Sequence, residues 1–498
     1  MSAADGAGRV VVVGAGSAGS VLTRRLLDAG RSVLLLEAGP PETNPAIPEL
    51  ARLGELWHSE VDWNYFTVPQ AGAAGRRLHL PRGKVVGGSH ALNACIWVRG
   101  CRQDYDDWAA AGNPGWGWDD VVPLFRAAEE VLGVVTDYPL HPVQAAVLEA
   151  AQQAGLARTP DYNGGRLDGV APQQVTVRDG RRHNTWHAYL LPVRDHPSLE
   201  VVTGAWVHEL LLEDGAVRGV RYAVQGRVQE VRADTVVLCA GALDTPRVLL
   251  RSGVGPREEL AAVGIEPVLD LPGVGRNLHD HLLAPVIATA QREVPPPGPG
   301  QSATQVHWWW RSRPGLDRPD TQPIVFSVPM YDDTLSGPAN AFTVYGGLVT
   351  PRSRGSVRLT SADPTAPTAV DLGALTHPDD VASLVASVQQ AREVVRQPAL
   401  AAWGAAELHP GAQVRDEDLE DYVRRTAVTY HHQVGTARMG TDALAVVDPR
   451  TLGVHGVAGL HVADASVVPT IPAGNTNAPA VLVAEKAARA LSALSVAG

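Results

Sequence analysis

Arg9-Val10-Val11-Val12-Val13-Gly14-Ala15-Gly16-Ser17-Ala18-Gly19 carries a short apolar strand directly into a complete G-x-G-x-x-G. In that pattern the first glycine permits a tight turn, the second leaves room for a pyrophosphate, and the third lets the next helix pack close to the strand. The N-terminus of that helix then faces the phosphates. A second apolar run, Val33-Leu34-Leu35-Leu36, ends in Glu37, 18 residues beyond Gly19. A carboxylate at that spacing accepts hydrogen bonds from a ribose diol, and a Glu where an Arg would be needed argues against a 2′-phosphate. Strand, glycines, helix and acid together predict a dinucleotide grip at the start of the chain.

The remaining composition narrows the partners. At 498 residues the chain has room for two or three domains, and 50 glycines with 38 prolines imply many turns. A net charge of −11 offers no basic field for nucleic acid or an anionic membrane. Met1 to Arg9 are small and polar, without the basic and apolar blocks of a leader, and no apolar run approaches the roughly 20 residues of a membrane span. Cys95, Cys101 and Cys239 are an odd number without metal spacing, as expected of reduced thiols in a soluble cytoplasmic protein. The oligomeric state is not legible.

Before about residue 285 strands alternate with helices, whereas 303–360 shows short alternating stretches such as Phe342-Thr343-Val344-Tyr345, which predict an antiparallel sheet. Glu293 to Gly300, rich in proline and glycine, reads as an exposed connector. Asp214-Gly215 between apolar runs predicts a hairpin. Thr235-Val236-Val237-Leu238 closes on Cys239-Ala240-Gly241-Ala242, small residues that let a strand end approach a nucleotide. Leu460 to Ala465 is another buried strand, ending in Asp464, and an amphipathic helix follows from about Ala478 to Leu494. With nucleotide-binding elements at both ends, the domain limits must be discontinuous.

Further segments extend the pattern over nearly the whole chain: Pro81-Arg82-Gly83-Lys84-Val85-Val86-Gly87-Gly88-Ser89 with Asn93 and Arg99-Gly100, Gly241 to Gly255, Gly273 to His281, His432-Gln433-Val434-Gly435-Thr436, and Gly474 to Pro479. Together they resemble the signatures of the glucose-methanol-choline (GMC) oxidoreductase family; an aryl-alcohol oxidase-like bacterial member is one reading. The resemblance implies an α/β fold, with a Rossmann-like FAD-binding domain formed by residues 1–165, 198–285 and 440–498. It also implies a substrate-binding domain of 166–197 and 286–439 built on an antiparallel sheet covered by helices. It places FAD against Gly14, Gly16, Ser17, Ala18, Gly19, Glu37 and Ala38, with Val207 at adenine. Val86, Gly88, Asn93, Ala94, Cys95, Ile96, Ala240, Asp464, Ala465, Asn475 and Asn477 are implied along the rest of the cofactor. His90 stands where the signature usually has a small residue. Some relatives link FAD covalently to a histidine in this segment, though that histidine typically sits directly before the asparagine, here at Leu92. A covalent link through His90 and an ordinary imidazole both remain open.

Alcohol oxidation needs a base beside the hydroxyl, and histidine, with an ordinary pKa of about 6.5, suits it. His432 occupies the position of the base in the resemblance, with the adjacent His431 as the alternative, since neighbours on an extended segment point to opposite sides. Gln433 stands where proline is common. Asn475 matches the second active-site position, and an amide can hold the alcohol oxygen without acting as a base. The helix near Ala478 would aim its positive end at the flavin. His307-Trp308-Trp309-Trp310-Arg311, Phe326, Tyr331 and Tyr345 are expected to supply aromatic pocket surface, favouring an aryl or other apolar primary alcohol. Such a cage would also suit a quaternary ammonium, but no matching carboxylate stands out. The expected reaction is alcohol to aldehyde with reoxidation by O2; dehydrogenation to another acceptor and, on the same fold, cyanohydrin cleavage are the alternatives.

Overall fold

The computed structural model describes residues 8–494. The expectations for the polar start of the chain at 1–7, and for 495–498 at the end of the first domain's third segment, lie outside the described residues. The strand Arg9–Val13, four of its residues β-branched valines, is the centre of a five-stranded parallel sheet, ordered Leu460–Val462, Thr235–Leu238, Arg9–Val13, Ser32–Glu37, Leu199–Thr203. A parallel strand covered on both faces reads as continuous apolar sequence, and Val10 to Val13 are all buried. The helix Ser17–Asp28 and the last helix, Asn477–Leu494, pack against each other over this sheet.

The expected hairpin joins Ala205–Glu213 to Ala216–Val224, and Arg227–Arg232 completes a three-stranded antiparallel sheet. Asp214 and Gly215 both have positive φ, 50° and 72°, the backbone that a two-residue hairpin turn with right-handed strand twist demands.

A second, antiparallel sheet runs in the order Ala406–His409, Leu282–Thr289, Ala341–Leu348, Ile324–Phe326, Thr304–Trp309, Gly169–Pro172. The sequence alternation around 303–360 predicts an antiparallel sheet, and the pairing is antiparallel, with every residue of Thr304–Trp309 and Ala341–Leu348 buried. The helices Pro142–Gln153 and Pro378–Val395 pack on this sheet, and its other side closes the cleft described below. Among the described residues no helix is long and apolar enough to cross a membrane.

The expected domain boundaries differ from the packing at several points. The strand Leu282–Thr289 runs through residue 285. Val143, Val147 and Ala151 join the core of the antiparallel sheet, although they fall before residue 165. Tyr189 and Leu190 join the core of the parallel sheet, as do Val434 and Met439. An apolar helix face shows that it will be buried but not which sheet will bury it. The proline-rich stretch 293–300 is irregular and partly exposed, pinned where the His141 ring meets the Pro295 carbonyl at 2.8 Å.

Candidate active site

A cleft of about 570 Å³ runs from the C-terminal ends of the parallel strands to the antiparallel sheet. At its first end the turn after Arg9–Val13 is built from backbone crossings that exclude side chains. Gly14 has φ +102°, and a Cβ there would lie 2.5 Å from the Cys239 carbonyl oxygen. At Gly19 the added carbon would lie 1.8 Å from the Gly14 carbonyl oxygen. Gly88, at φ +54°, crosses Gly16 so closely that its Cβ would be 2.6 Å from Gly16 Cα. The two glycine-rich segments thus meet back to back, which is a cradle for a pyrophosphate.

Glu37 lines the cleft, and its two oxygens accept hydrogen bonds from the Ala15 and Gly39 backbone N–H groups, each at 2.8 Å. Each oxygen keeps a second lone pair for a ribose hydroxyl. Burial pushes this carboxyl up to about 7. Asp464 performs a similar task on the far strand: Oδ2 accepts from Gly241 N at 2.8 Å and Thr245 Oγ1 at 2.6 Å, and Oδ1 from Ser466 N at 2.8 Å.

Of the expected cofactor residues, Gly14, Gly16, Ser17, Ala18, Glu37, Ala38, Gly88, Asn93, Ala94, Ile96, Val207, Ala240, Asp464, Ala465, Asn475 and Asn477 line this cleft. Gly19, Val86, His90 and Cys95 do not. Gly19 serves the helix–strand contact behind the cradle, Val86 belongs to the adjoining core, and the Cys95 sulfur faces the Arg182 guanidinium at 3.2 Å.

His90 is fully buried behind the cleft wall, not on it as expected of a cofactor contact. Its Nε2 lies 2.8 Å from Thr176 Oγ1 and its Nδ1 accepts from Thr185 N at 3.3 Å. The Asn477 amide nitrogen sits against the same ring, while the Asn477 oxygen accepts from Ser17 Oγ at 2.6 Å. His90 is therefore joined to the cradle through Asn477, and a covalent link would require its ring to leave both partners. Acid precipitation of the purified protein is expected to release all FAD into the supernatant; a polypeptide pellet that stays yellow would overturn this.

At the other end of the cleft His432 and Asn475 meet, with Asn475 Nδ2 3.1 Å from His432 Nε2. On the opposite side of the ring, His432 Nδ1 lies 3.0 Å from Nδ1 of His281. The Tyr430 ring stacks on the imidazole with centroids 4.6 Å apart, and the His432 backbone N–H donates to Asp280 Oδ1 at 2.7 Å. Gln433 uses its amide on the other Asp280 oxygen. The departure from proline thus supplies a second anchor for this loop. His431 adopts φ +66° and turns its ring to Thr429 Oγ1, at 2.7 Å, and edge-on to Trp57, away from the Asn475 pair. Its carbonyl accepts from the Arg82 guanidinium.

Burial, reinforced by the neighbouring His281, His431 and Arg82, holds His432 well below the ordinary histidine pKa. His281 and His431 are pushed down to about 3, and burial raises the Asp280 carboxyl to about 7. A neutral imidazole whose Nε2 faces an amide N–H presents a lone pair at that nitrogen, as a general base requires.

The aromatic expectation holds only in part. Phe326, Tyr331 and Tyr345 line the cleft, joined by Trp57, Trp63, Phe66, Trp206 and Tyr430, which sequence reasoning did not single out. Trp308 and Trp309 do not. Trp308 reaches Gln390 Oε1 at 2.8 Å in the covering helix, and Trp309 donates to the Ala473 carbonyl at 2.9 Å. Successive residues of a strand covered on both sides point into two different cores. His281 and Asp280 lie in the quoted Gly273 to His281 segment, but nothing in that segment says that they face His432.

The descriptions "GMC oxidoreductase" match residues 9–283 for the N-terminal model of that family and 351–484 for the C-terminal one. An uncharacterised GMC-type oxidoreductase of Mycobacterium tuberculosis is 38% identical, covering 96% of this chain and 98% of its own. An oxygen-dependent choline dehydrogenase of Rhizobium johnstonii is 35% identical over 96% of this chain and 94% of its own. Among solved structures, pyridoxine 4-oxidase from Mesorbium loti superposes with a TM-score of 0.92 at 34% identity, covering 97% of this chain and 98% of that one. A cradle for a pyrophosphate, a buried acid at the ribose position and a histidine–asparagine pair at the far end of one cleft fit FAD and an alcohol, and the chain belongs to the GMC oxidoreductase family as an FAD-dependent enzyme acting on alcohols.

Proposed function

We propose that the protein oxidises an aryl or similarly flat, apolar primary alcohol to its aldehyde, with His432 as the base and O2 as the final electron acceptor. The observation that carries this reading is the His432–Asn475 pair, which shares its cleft with Leu283, Ile324, Phe326, Met330 and Tyr345. The Asn475 amide donates to the alcohol oxygen and cannot remove its proton, so the proton passes to His432 Nε2. Bound FAD supplies the acceptor for the hydride that leaves the carbinol carbon. Tyr430 stacks on the imidazole and Asp280 holds the His432 backbone N–H, so the residue stays in place while its charge changes.

The acids on the cleft wall argue against a cationic substrate such as choline. Glu37 and Asp464 belong to the cofactor half, Asp244 is paired with Arg247, and Asp332 with Arg76 at 3.2 Å, leaving only the exposed Asp333. The likeness to pyridoxine 4-oxidase supports an oxidase, while that to choline dehydrogenases supports the alternative of another acceptor. Buried, unpaired thiols at Cys95, Cys101 and Cys239 support a cytoplasmic setting.

Anaerobic mixing of the yellow protein with benzyl alcohol, choline and glucose tests the reading. Benzyl alcohol is expected to bleach the flavin most readily, with colour returning quickly in air. Bleaching by choline or glucose alone overturns the substrate class, and colour that returns only with an added acceptor overturns the oxidase assignment.

A further inference from the structure

An asparagine amide has two orientations of nearly equal shape, and they have opposite consequences for a base. With nitrogen toward His432, Nε2 accepts and is free of a proton; with oxygen toward it, Nε2 would have to carry one. The side of Asn475 away from the cleft decides between them. Gln322 Nε2 lies 3.1 Å from Asn475 Oδ1 and 3.2 Å from His307 Nδ1, so its two N–H groups each have one acceptor. Gln322 and His307 are fully buried, and neither lines the cleft. The Gln322 backbone is equally fixed: its N–H donates to Gly347 O at 2.9 Å, and a Cβ on Gly347 would strike the Gln322 carbonyl at 2.2 Å.

We propose that Gln322, held from behind by His307, is a positioning residue that turns the Asn475 amide so that its nitrogen faces His432 Nε2. The inference rests on the alcohol-oxidation reading above and adds to it a residue outside the substrate cleft. The other flank of His432 leads to the same proton order. On that flank His281 Nδ1 and His432 Nδ1 lie 3.0 Å apart, close enough to share one proton. With that proton on His432 Nδ1, His281 Nδ1 is the acceptor and His432 Nε2 carries a lone pair, the same order that the Asn475 amide nitrogen requires. Burial keeps His307 neutral, its pKa pushed down to about 3, and with its one proton on Nε2 its Nδ1 accepts from Gln322.

Gln322→Met keeps the size of the side chain and removes both donors. It is expected to slow anaerobic flavin reduction by benzyl alcohol on the order of 10- to 100-fold, the scale of a displaced reacting group, with FAD content and melting temperature retained. Because Gln322 acts through Asn475, adding Gln322→Met to Asn475→Ala should cost less than about twofold further. A wild-type rate in the single variant, or a full multiplied loss in the double one, overturns the proposal. Gln322→Glu gives an independent readout: an un-ionised carboxyl can donate to Asn475 Oδ1 and an ionised one cannot, so its reduction rate should fall as pH rises through that ionisation. If the methionine variant does not hold FAD, this profile decides, and one parallel to wild type overturns the proposal. His432→Ala is measured beside them. Full activity there defeats the base reading itself, whereas its loss together with an unaffected Gln322→Met defeats only the positioning role.

Discussion

His432→Ala is expected to lower the rate of flavin reduction by benzyl alcohol about 10²- to 10⁴-fold, the usual contribution of a positioned general base. The variant should still be yellow, because His432 lies at the alcohol end of the cleft and its removal leaves the glycine cradle, Glu37 and Asp464 untouched. His431 cannot take over. Its ring is turned to Thr429 and Trp57, and its backbone is held in the left-handed region with the carbonyl on Arg82. Anaerobic stopped-flow absorbance checks the expectation directly, and a rate equal to wild type would remove His432 from the reaction.

A comparable loss by a different route is expected from Gly19→Ala. One added carbon would lie 1.8 Å from the Gly14 carbonyl oxygen and 3.3 Å from the Cys239 side chain. The first of these is rigid backbone, so the helix Ser17–Asp28 must move off the strand Arg9–Val13. Overpacking of this kind typically costs about 1–3 kcal/mol, and here it also distorts the phosphate cradle. The variant should purify largely colourless, with a lowered melting temperature. Gly54→Ala is the matched control: nothing lies within 4 Å of its added carbon, and it should retain FAD and stability. Equal flavin content in the two variants would defeat the argument from close approach.

Much of the cofactor half was legible because its determinants are local. The tight turn at Gly14, the helix packing at Gly19, the acid at Glu37 and the Asp214-Gly215 hairpin each depend on a backbone shape or a spacing set by a few neighbouring residues. His432 and Asn475 were reached through the resemblance of their flanking segments. Contacts across the fold were not legible. Gln322 and Asn475 are 153 residues apart, and His281 and His432 are 151 apart, so no short pattern pairs them.

The sequence by itself determined the dinucleotide-binding strand and turn and the family, and it offered His432, with His431 beside it, and Asn475 as the active-site candidates. Only the tertiary structure decided that His90 lies behind the wall, that Trp308 and Trp309 fill cores while Trp57 and Tyr430 face the cleft, and that Gln322 meets Asn475. The physical reason is common to all three. Strand alternation fixes that neighbours face opposite ways, but what stands on each side is set by elements packed from distant parts of the chain.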